Sequence, residues 1–159
     1  HNEGTRVLIY FSDNITTVEL EAHVSAFRDA EAPPGAVLLA REEPDPSAFG
    51  VAVLDEEGHV VDIVEKPEHP PSNLAIGGIY LYDERFWDFM DEAVADQGDA
   101  FSISDVNRMY IQNGDATLLN VGEETWIDCG TPATLLQASI MAKNGRLNAN
   151  PHRPEPGRD

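Results

Sequence analysis

Hydrophobic positions in this chain fall into two patterns, short unbroken runs and helically spaced sets. Arg6 to Phe11 (RVLIYF) and Ala36 to Ala40 are unbroken, which predicts strands buried on both faces. Phe49-Gly50-Val51 opens a further run to Leu54, and His59 to Val64 returns after the turn Asp55-Glu56-Glu57-Gly58, so the two form a hairpin. The returning strand ends at Glu65-Lys66-Pro67, because proline cannot continue a central ladder. A proline-rich connection from Pro67 to Ser72 leads into the strand Leu74 to Leu81, whose Gly77 and Gly78 make room against the backbone or mark a bulge. Ala116 to Val121 and Thr125 to Ile127 are the last strands.

Helical spacing places Leu20, Val24 and Phe27 on one face after a cap at Thr16 or Thr17, with Glu19 and Glu21 favouring the dipole. Phe86, Trp87, Met90 and Val94 predict a helix from Asp83 or Glu84. A shorter one, Asp105 to Gln112, is capped by Ser102 or Ser104. Pro132 suits the first turn of a final helix to Lys143, which Asn144-Gly145 stops. The pattern predicts one domain over residues 1–145 and a proline-rich, disordered tail over 146–159.

Charge and composition narrow the partners. At 159 residues and a formal net charge of -19, the chain lacks the clustered Lys and Arg that a nucleic acid or anionic membrane requires. No apolar run approaches membrane-helix length. Lysine occurs only at 66 and 143, a balance expected of a halophilic protein, where salt screens self-repulsion. The single cysteine, Cys129, admits no internal disulfide and makes a reducing, cytoplasmic setting the expectation. Homo-oligomerisation stays open.

Three places carry candidate chemistry. Asp13 and Asp128 each follow a predicted strand directly, and magnesium takes carboxylate oxygens together with waters and phosphates. Solvated loop aspartates or helix caps are the competing reading. Glu65 and Lys66 stand side by side where Pro67 fixes the exit: a carboxylate accepts from sugar hydroxyls, and an ammonium suits a phosphate. A surface ion pair is the alternative there, and plain core is the alternative for Trp126. The histidines show no metal-ligand spacing, and the chain has no Ser-His-Asp pattern or dinucleotide fingerprint.

In this order, F-S-D-N (11 to 14), F-G-V (49 to 51), V-E-K-P (64 to 67), S-N-L-A-I-G-G-I-Y-L-Y-D (72 to 83), I-S-D-V-N (103 to 107) and W-I-D-C-G-T (126 to 131) resemble the sugar-1-phosphate nucleotidyltransferases. The likeness runs from about Val7 to Ser139 and is strongest to the glucose-1-phosphate thymidylyltransferase branch. It implies an α/β, three-layer Rossmann-like fold with a mixed central sheet. It also implies transfer of a nucleotidyl group from a nucleoside triphosphate to a sugar 1-phosphate, releasing pyrophosphate, with Mg2+ as cofactor.

By the same resemblance, Asp13 and Asp128 hold the metal and Lys66 meets the sugar phosphate. Asn14, Gly50, Glu65, Asn73, Ile76, Gly78 and Trp126 bind substrate with Lys66, the sugar falling to Gly50, Glu65, Asn73, Ile76 and Gly78 with Trp126 lining the pocket. Members of the family begin with a glycine-rich G-x-G-T-R segment that holds the nucleotide. Gly4-Thr5-Arg6 echoes its letters but runs straight into the first strand, so these residues are expected to correspond to the sugar-binding portion, with the N-terminal portion missing. Ser12 stands where the family has glycine. A non-catalytic sugar-phosphate-binding or assembly subunit of the same fold is the alternative.

Overall fold

A computed structural model describes residues 4–122 and 124–147; residues 148–159, most of the expected disordered tail, lie outside the described residues. In chain order the elements are β1 (Val7–Tyr10), β2 (Asn14–Thr16), α1 (Leu20–Asp29), β3 (Ala36–Glu42), β4 (Gly50–Leu54), β5 (Val60–Glu65) and β6 (Leu74–Tyr82). Then follow α2 (Phe86–Gln97), α3 (Ile103–Gln112), β7 (Ala116–Asn120), β8 (Trp126–Asp128) and α4 (Pro132–Lys143). The described residues divide into two compact units, 4–11 with 19–122, and 12–18 with 124–147.

The larger unit is built on a mixed six-stranded sheet in the order β5-β4-β6-β3-β7, with β1 also paired to β6. β6 is antiparallel to β1, β3 and β4, and β3 is parallel to β7. β4 meets β6 at Ala75 and Ile76, and β1 meets it at Ile79 to Tyr82. Between them the register with β3 jumps: Leu38 faces Tyr80, whereas Ala40 faces Ile76. The surplus residues on β6 therefore include Gly77 and Gly78, and the glycine pair marks a bulge. The Gly78 carbonyl there accepts the Phe11 N–H at 2.8 Å.

The core lies where α3 packs on β5, β3 and β7. Tyr82 and Tyr110, both fully buried, stack with centroids 5.4 Å apart, and Phe89 meets Tyr110 edge-on at 4.7 Å. Such pairs add to the stabilisation from area burial alone. Tyr82 donates its hydroxyl hydrogen to Asn107 Oδ1 at 2.5 Å, so the phenol is buried with a partner.

A second lock closes the β3 entrance. The Arg85 guanidinium pairs with Asp83 and Asp115 and lies over the rings of Phe89 and Tyr110. Asp115 in turn accepts the Gly35 N–H at 2.8 Å. A Cβ on Gly35 would collide with Arg85, Asp115 and Tyr110, so only glycine lets these groups close over the chain there.

Two expectations fail. The first strand is not buried on both faces: Val7 and Ile9 are half-buried, but Leu8 and Tyr10 are exposed. Side chains alternate across the sheet, so Val7 and Ile9 pack against the core while Leu8 and Tyr10 share the opposite, outward face. Nor does threonine cap α1, whose first flanking residue is Glu19 without a side-chain cap. Thr16 belongs to β2, and its hydroxyl donates to the Thr125 carbonyl at 2.9 Å, while Thr17 accepts the Thr125 N–H at 3.0 Å.

The hairpin β4/β5, the Pro132 start of α4 and the Ser102 start of α3 follow the sequence. At Ser102 both N–H and Oγ donate to the Asp105 carboxylate, at 2.8 and 3.3 Å.

Candidate functional site

In the larger unit, six of the expected site residues sit along neighbouring strands or at their ends. Gly50 opens β4 and stands in register with Glu65, the last residue of β5, and with Ile76 of β6. A Cβ on Gly50 would lie 3.0 Å from Glu65 Oε2, so the missing side chain is what lets the carboxylate fold over the β4 backbone. The same Oε2 accepts the Ser104 hydroxyl from α3 at 3.2 Å. No hydrogen bond within the described residues engages Oε1.

Tyr80 of β6 is 5% exposed. Burial first, and then the Glu65 charge, push its phenol above the ordinary tyrosine range. Phe11 meets the Tyr80 ring edge-on at 5.9 Å.

Lys66 has an unusual backbone. Its φ is 44°, the left-handed region, and among the described residues it is alone in this apart from glycines. An L side chain there costs on the order of 1–2 kcal/mol. The conformation is held on both sides: the Lys66 N–H donates to the Phe49 carbonyl at 2.9 Å, and Pro67 is buried. Lys66 itself is exposed, so its ammonium is presented to solvent next to Glu65.

Asn73 is also exposed, and its carbonyl accepts the Glu43 N–H at 2.8 Å. Ser72 anchors the loop before it, donating to the Ala52 carbonyl at 2.6 Å and accepting the Leu74 N–H at 3.2 Å. Ile76 is buried within the ladder, as is Gly78.

The smaller unit contains the other four. β2 and β8 form a two-stranded antiparallel ladder in which Asn14 faces Asp128 and Thr16 faces Trp126. Asp13 precedes β2 and Asp128 ends β8, so antiparallel pairing brings both aspartates to one end of the ladder. The Cys129 N–H closes that end on the Asp13 carbonyl at 2.6 Å.

Asn14, 6% exposed, is a brace between two neighbours. Its Nδ2 donates to Asp13 Oδ1 at 2.8 Å, and its Oδ1 accepts the Trp126 indole N–H at 2.5 Å. Trp126 is buried. Asp128 Oδ1 accepts the Gly130 N–H at 2.8 Å, and a Cβ on Gly130 would lie 2.9 Å from that oxygen. Asp13 and Asp128 thus each keep Oδ2 without a hydrogen bond in the described residues, Asp13 being exposed and Asp128 half-exposed. A carboxylate oxygen left in this way is a ligand that a hard divalent cation takes, with waters completing its shell.

Ser104 and Tyr80 escaped the reading of the sequence as site residues, although both lie inside motifs that carry the resemblance. Nothing in those motifs alone shows that a helix residue 39 positions away meets Glu65.

Comparison with known proteins bears on the family and the fold. The family model for nucleotidyl transferases matches residues 1–144. The glucose-1-phosphate thymidylyltransferase of Xanthomonas campestris pv. campestris is 38% identical over 106 residues, which are 66% of this chain and 36% of the relative. The low-salt glycan biosynthesis nucleotidyltransferase Agl11 of Haloferax volcanii is 30% identical over 134 residues, 84% of this chain and 37% of the relative. The chain therefore spans a little over a third of the length of these relatives.

Among solved structures, a Bacillus anthracis protein assigned as a glucose-1-phosphate thymidylyltransferase, in complex with sucrose, superposes with a TM-score of 0.78 at 30% identity. The match covers 89% of this chain and 56% of that one. Apo UDP-glucose pyrophosphorylase shares the fold, with a TM-score of 0.70 at 21% identity over 91% of this chain and 56% of that one. The mixed α/β sheet expected from the motifs is the one found, and by sequence and by fold this chain belongs to the nucleotidyl transferase family.

Proposed function

We propose that the chain carries the sugar-1-phosphate side of a nucleotidyl transfer of the glucose-1-phosphate thymidylyltransferase kind. In that reaction a phosphate oxygen of the sugar 1-phosphate attacks the α-phosphorus of a nucleoside triphosphate. A new phosphoanhydride bond forms, the α–β bond breaks, and pyrophosphate leaves. The demand is for positioning and charge neutralisation, since the protein itself forms no covalent bond.

The backbone at Lys66 carries this reading. A lysine held at φ 44° beside a carboxylate folded over a glycine is a strained arrangement, and strain of this kind persists where surrounding structure fixes it for use. The Lys66 ammonium takes the sugar phosphate as a point charge. Glu65 and Asn73 receive ring hydroxyls, and Gly50, Ile76 and Gly78 supply close-packed backbone.

In the smaller unit Asp13 and Asp128 hold the divalent cation, Mg2+ in this reading, with Asn14 orienting Asp13 and Trp126 beside it. When bound, the ion would neutralise charge on the transferring phosphoryl group. A cytoplasmic, salt-adapted setting suits the lone cysteine and the charge of -19. Among the described residues no helix is long and apolar enough to cross a membrane.

Calorimetric titration with glucose 1-phosphate, with and without Mg2+, tests the reading. Saturable binding that weakens at least tenfold in Lys66→Ala is expected, in line with loss of a charge-assisted contact. No binding by the wild-type chain, or equal binding by the variant, would remove the sugar phosphate from this strand exit. Thermal unfolding in rising KCl tests the salt adaptation, for which a salt-independent Tm is the contrary result.

A further inference from the structure

We infer that Ser104 is a positioning residue for sugar recognition: its hydroxyl fixes one oxygen of Glu65 so that the other is presented to the ligand. The inference rests on the sugar-phosphate reading above and deepens it.

Glu65 is an exposed residue at a strand end, where a carboxylate would ordinarily sample several rotamers. Two contacts prevent this. Gly50 stands opposite it in register and leaves open the space the carboxylate occupies, since a Cβ there would come within 3.0 Å of Oε2. Ser104, only 8% exposed, then donates to that same oxygen at 3.2 Å.

Ser104 lies in the first turn of α3, where the helix dipole favours a negative charge. That turn is itself fixed by the bonds from Ser102 to Asp105, so the donor has little freedom to follow a moving carboxylate. Behind it, Arg108 of the same helix donates to the Ile63 carbonyl of β5 at 3.3 Å, tying α3 to the strand that bears Glu65.

The consequence is a division of labour within one carboxylate. Oε2 is committed to the protein, and Oε1, without a hydrogen bond in the described residues, keeps its lone pairs for hydroxyl donors. Ser104 touches neither the sugar nor the reacting atoms in this scheme. Its effect passes through Glu65, and a threonine, which keeps the hydroxyl, should replace it.

The test uses the full chain, glucose 1-phosphate as probe, and the variants Ser104→Ala, Ser104→Thr and Glu65→Ala. Ser104→Ala should weaken binding about tenfold, the effect typical of losing a hydrogen bond to a charged group. Ser104→Thr should stay within about twofold of wild type on the same scale. In a Glu65→Ala background, Ser104→Ala should change nothing further, which a merely structural role would not predict.

A second readout needs no ligand. NMR scalar couplings of the Glu65 side chain should report one rotamer in the wild type and averaging in Ser104→Ala. If the wild-type chain ignores glucose 1-phosphate yet Glu65 becomes averaged without the hydroxyl, the sugar reading falls and the positioning role stands. If Glu65 keeps one rotamer in Ser104→Ala, or that variant binds like wild type, the positioning role is overturned.

Discussion

Replacing Lys66 by glycine and by alanine separates backbone strain from side-chain chemistry at the candidate site. At most strand positions glycine is the worse choice by about 0.5–1 kcal/mol, because it loses more backbone freedom on folding. Position 66 has φ 44°, where alanine pays the left-handed penalty of about 1–2 kcal/mol and glycine does not. The difference puts Lys66→Gly above Lys66→Ala in stability by about 0.5–1 kcal/mol. The bond from the residue-66 N–H to the Phe49 carbonyl is available to both variants, so it cancels.

Urea unfolding of the two variants measures this difference directly. The same pair made at Val64, an exposed position of β5 without positive φ, should show the opposite sign. Both Lys66 variants should lose sugar-phosphate affinity, since both lack the ammonium. A glycine variant less stable than the alanine variant would refute the idea that the fold holds Lys66 against its own preference.

Gly50→Ala should cost about 1 kcal/mol of stability, because the added Cβ displaces the exposed Glu65 carboxylate at 3.0 Å and presses on the buried Ile63 Cγ2 at 3.3 Å, and should weaken glucose 1-phosphate binding in calorimetry; a large loss of stability with binding intact would be the contrary result. Asp128→Asn should lower Mg2+ affinity by at least about tenfold, the amount typical even of an outer-shell partner, in a metal titration; unchanged affinity would take Asp128 out of the metal site. Arg85→Ala should destabilise the fold by about 1–2 kcal/mol, since it frees Asp83 and Asp115 from a half-exposed partner. Burial alone would raise the Asp115 carboxyl, but the Arg85 hydrogen bond, the Gly35 N–H and the Arg85 charge outweigh it and hold it below the ordinary value. A depressed carboxyl contributes stability above the unfolded value, near pH 3.9, and loses it as pH falls through the folded value. The gap between wild type and Arg85→Ala should therefore be full at neutral pH and shrink below about pH 4 in thermal unfolding; a gap that widens on acidification would contradict this.

The sequence showed most of the larger unit because its signals are local. The Asp55-Glu56-Glu57-Gly58 turn between two apolar runs specifies the β4/β5 hairpin, and Ser102 starts α3 by chemistry within one turn, as Pro132 and Asn144 bound α4 in the smaller unit. What stayed hidden depends on distant partners. β2 is three residues long, and its mate β8 lies more than a hundred positions away, so nothing near Asn14 announces a strand.

The misreading of β1 has the same origin. An unbroken apolar run tells how much surface is available for burial, and the elements packed on each face of the sheet decide how much is covered. At the candidate site, Glu65 and Lys66 were legible because Pro67 punctuates their strand and lysine is scarce. Ser104 was not, because its meaning comes from packing α3 against β5.

Backbone NMR of the chain during titration with glucose 1-phosphate tests the central claim most directly. The account predicts saturable shifts concentrated at Gly50, Glu65, Lys66, Asn73 and Gly78. Saturable shifts that bypass Glu65 and Lys66, or no shifts at any concentration, would contradict it.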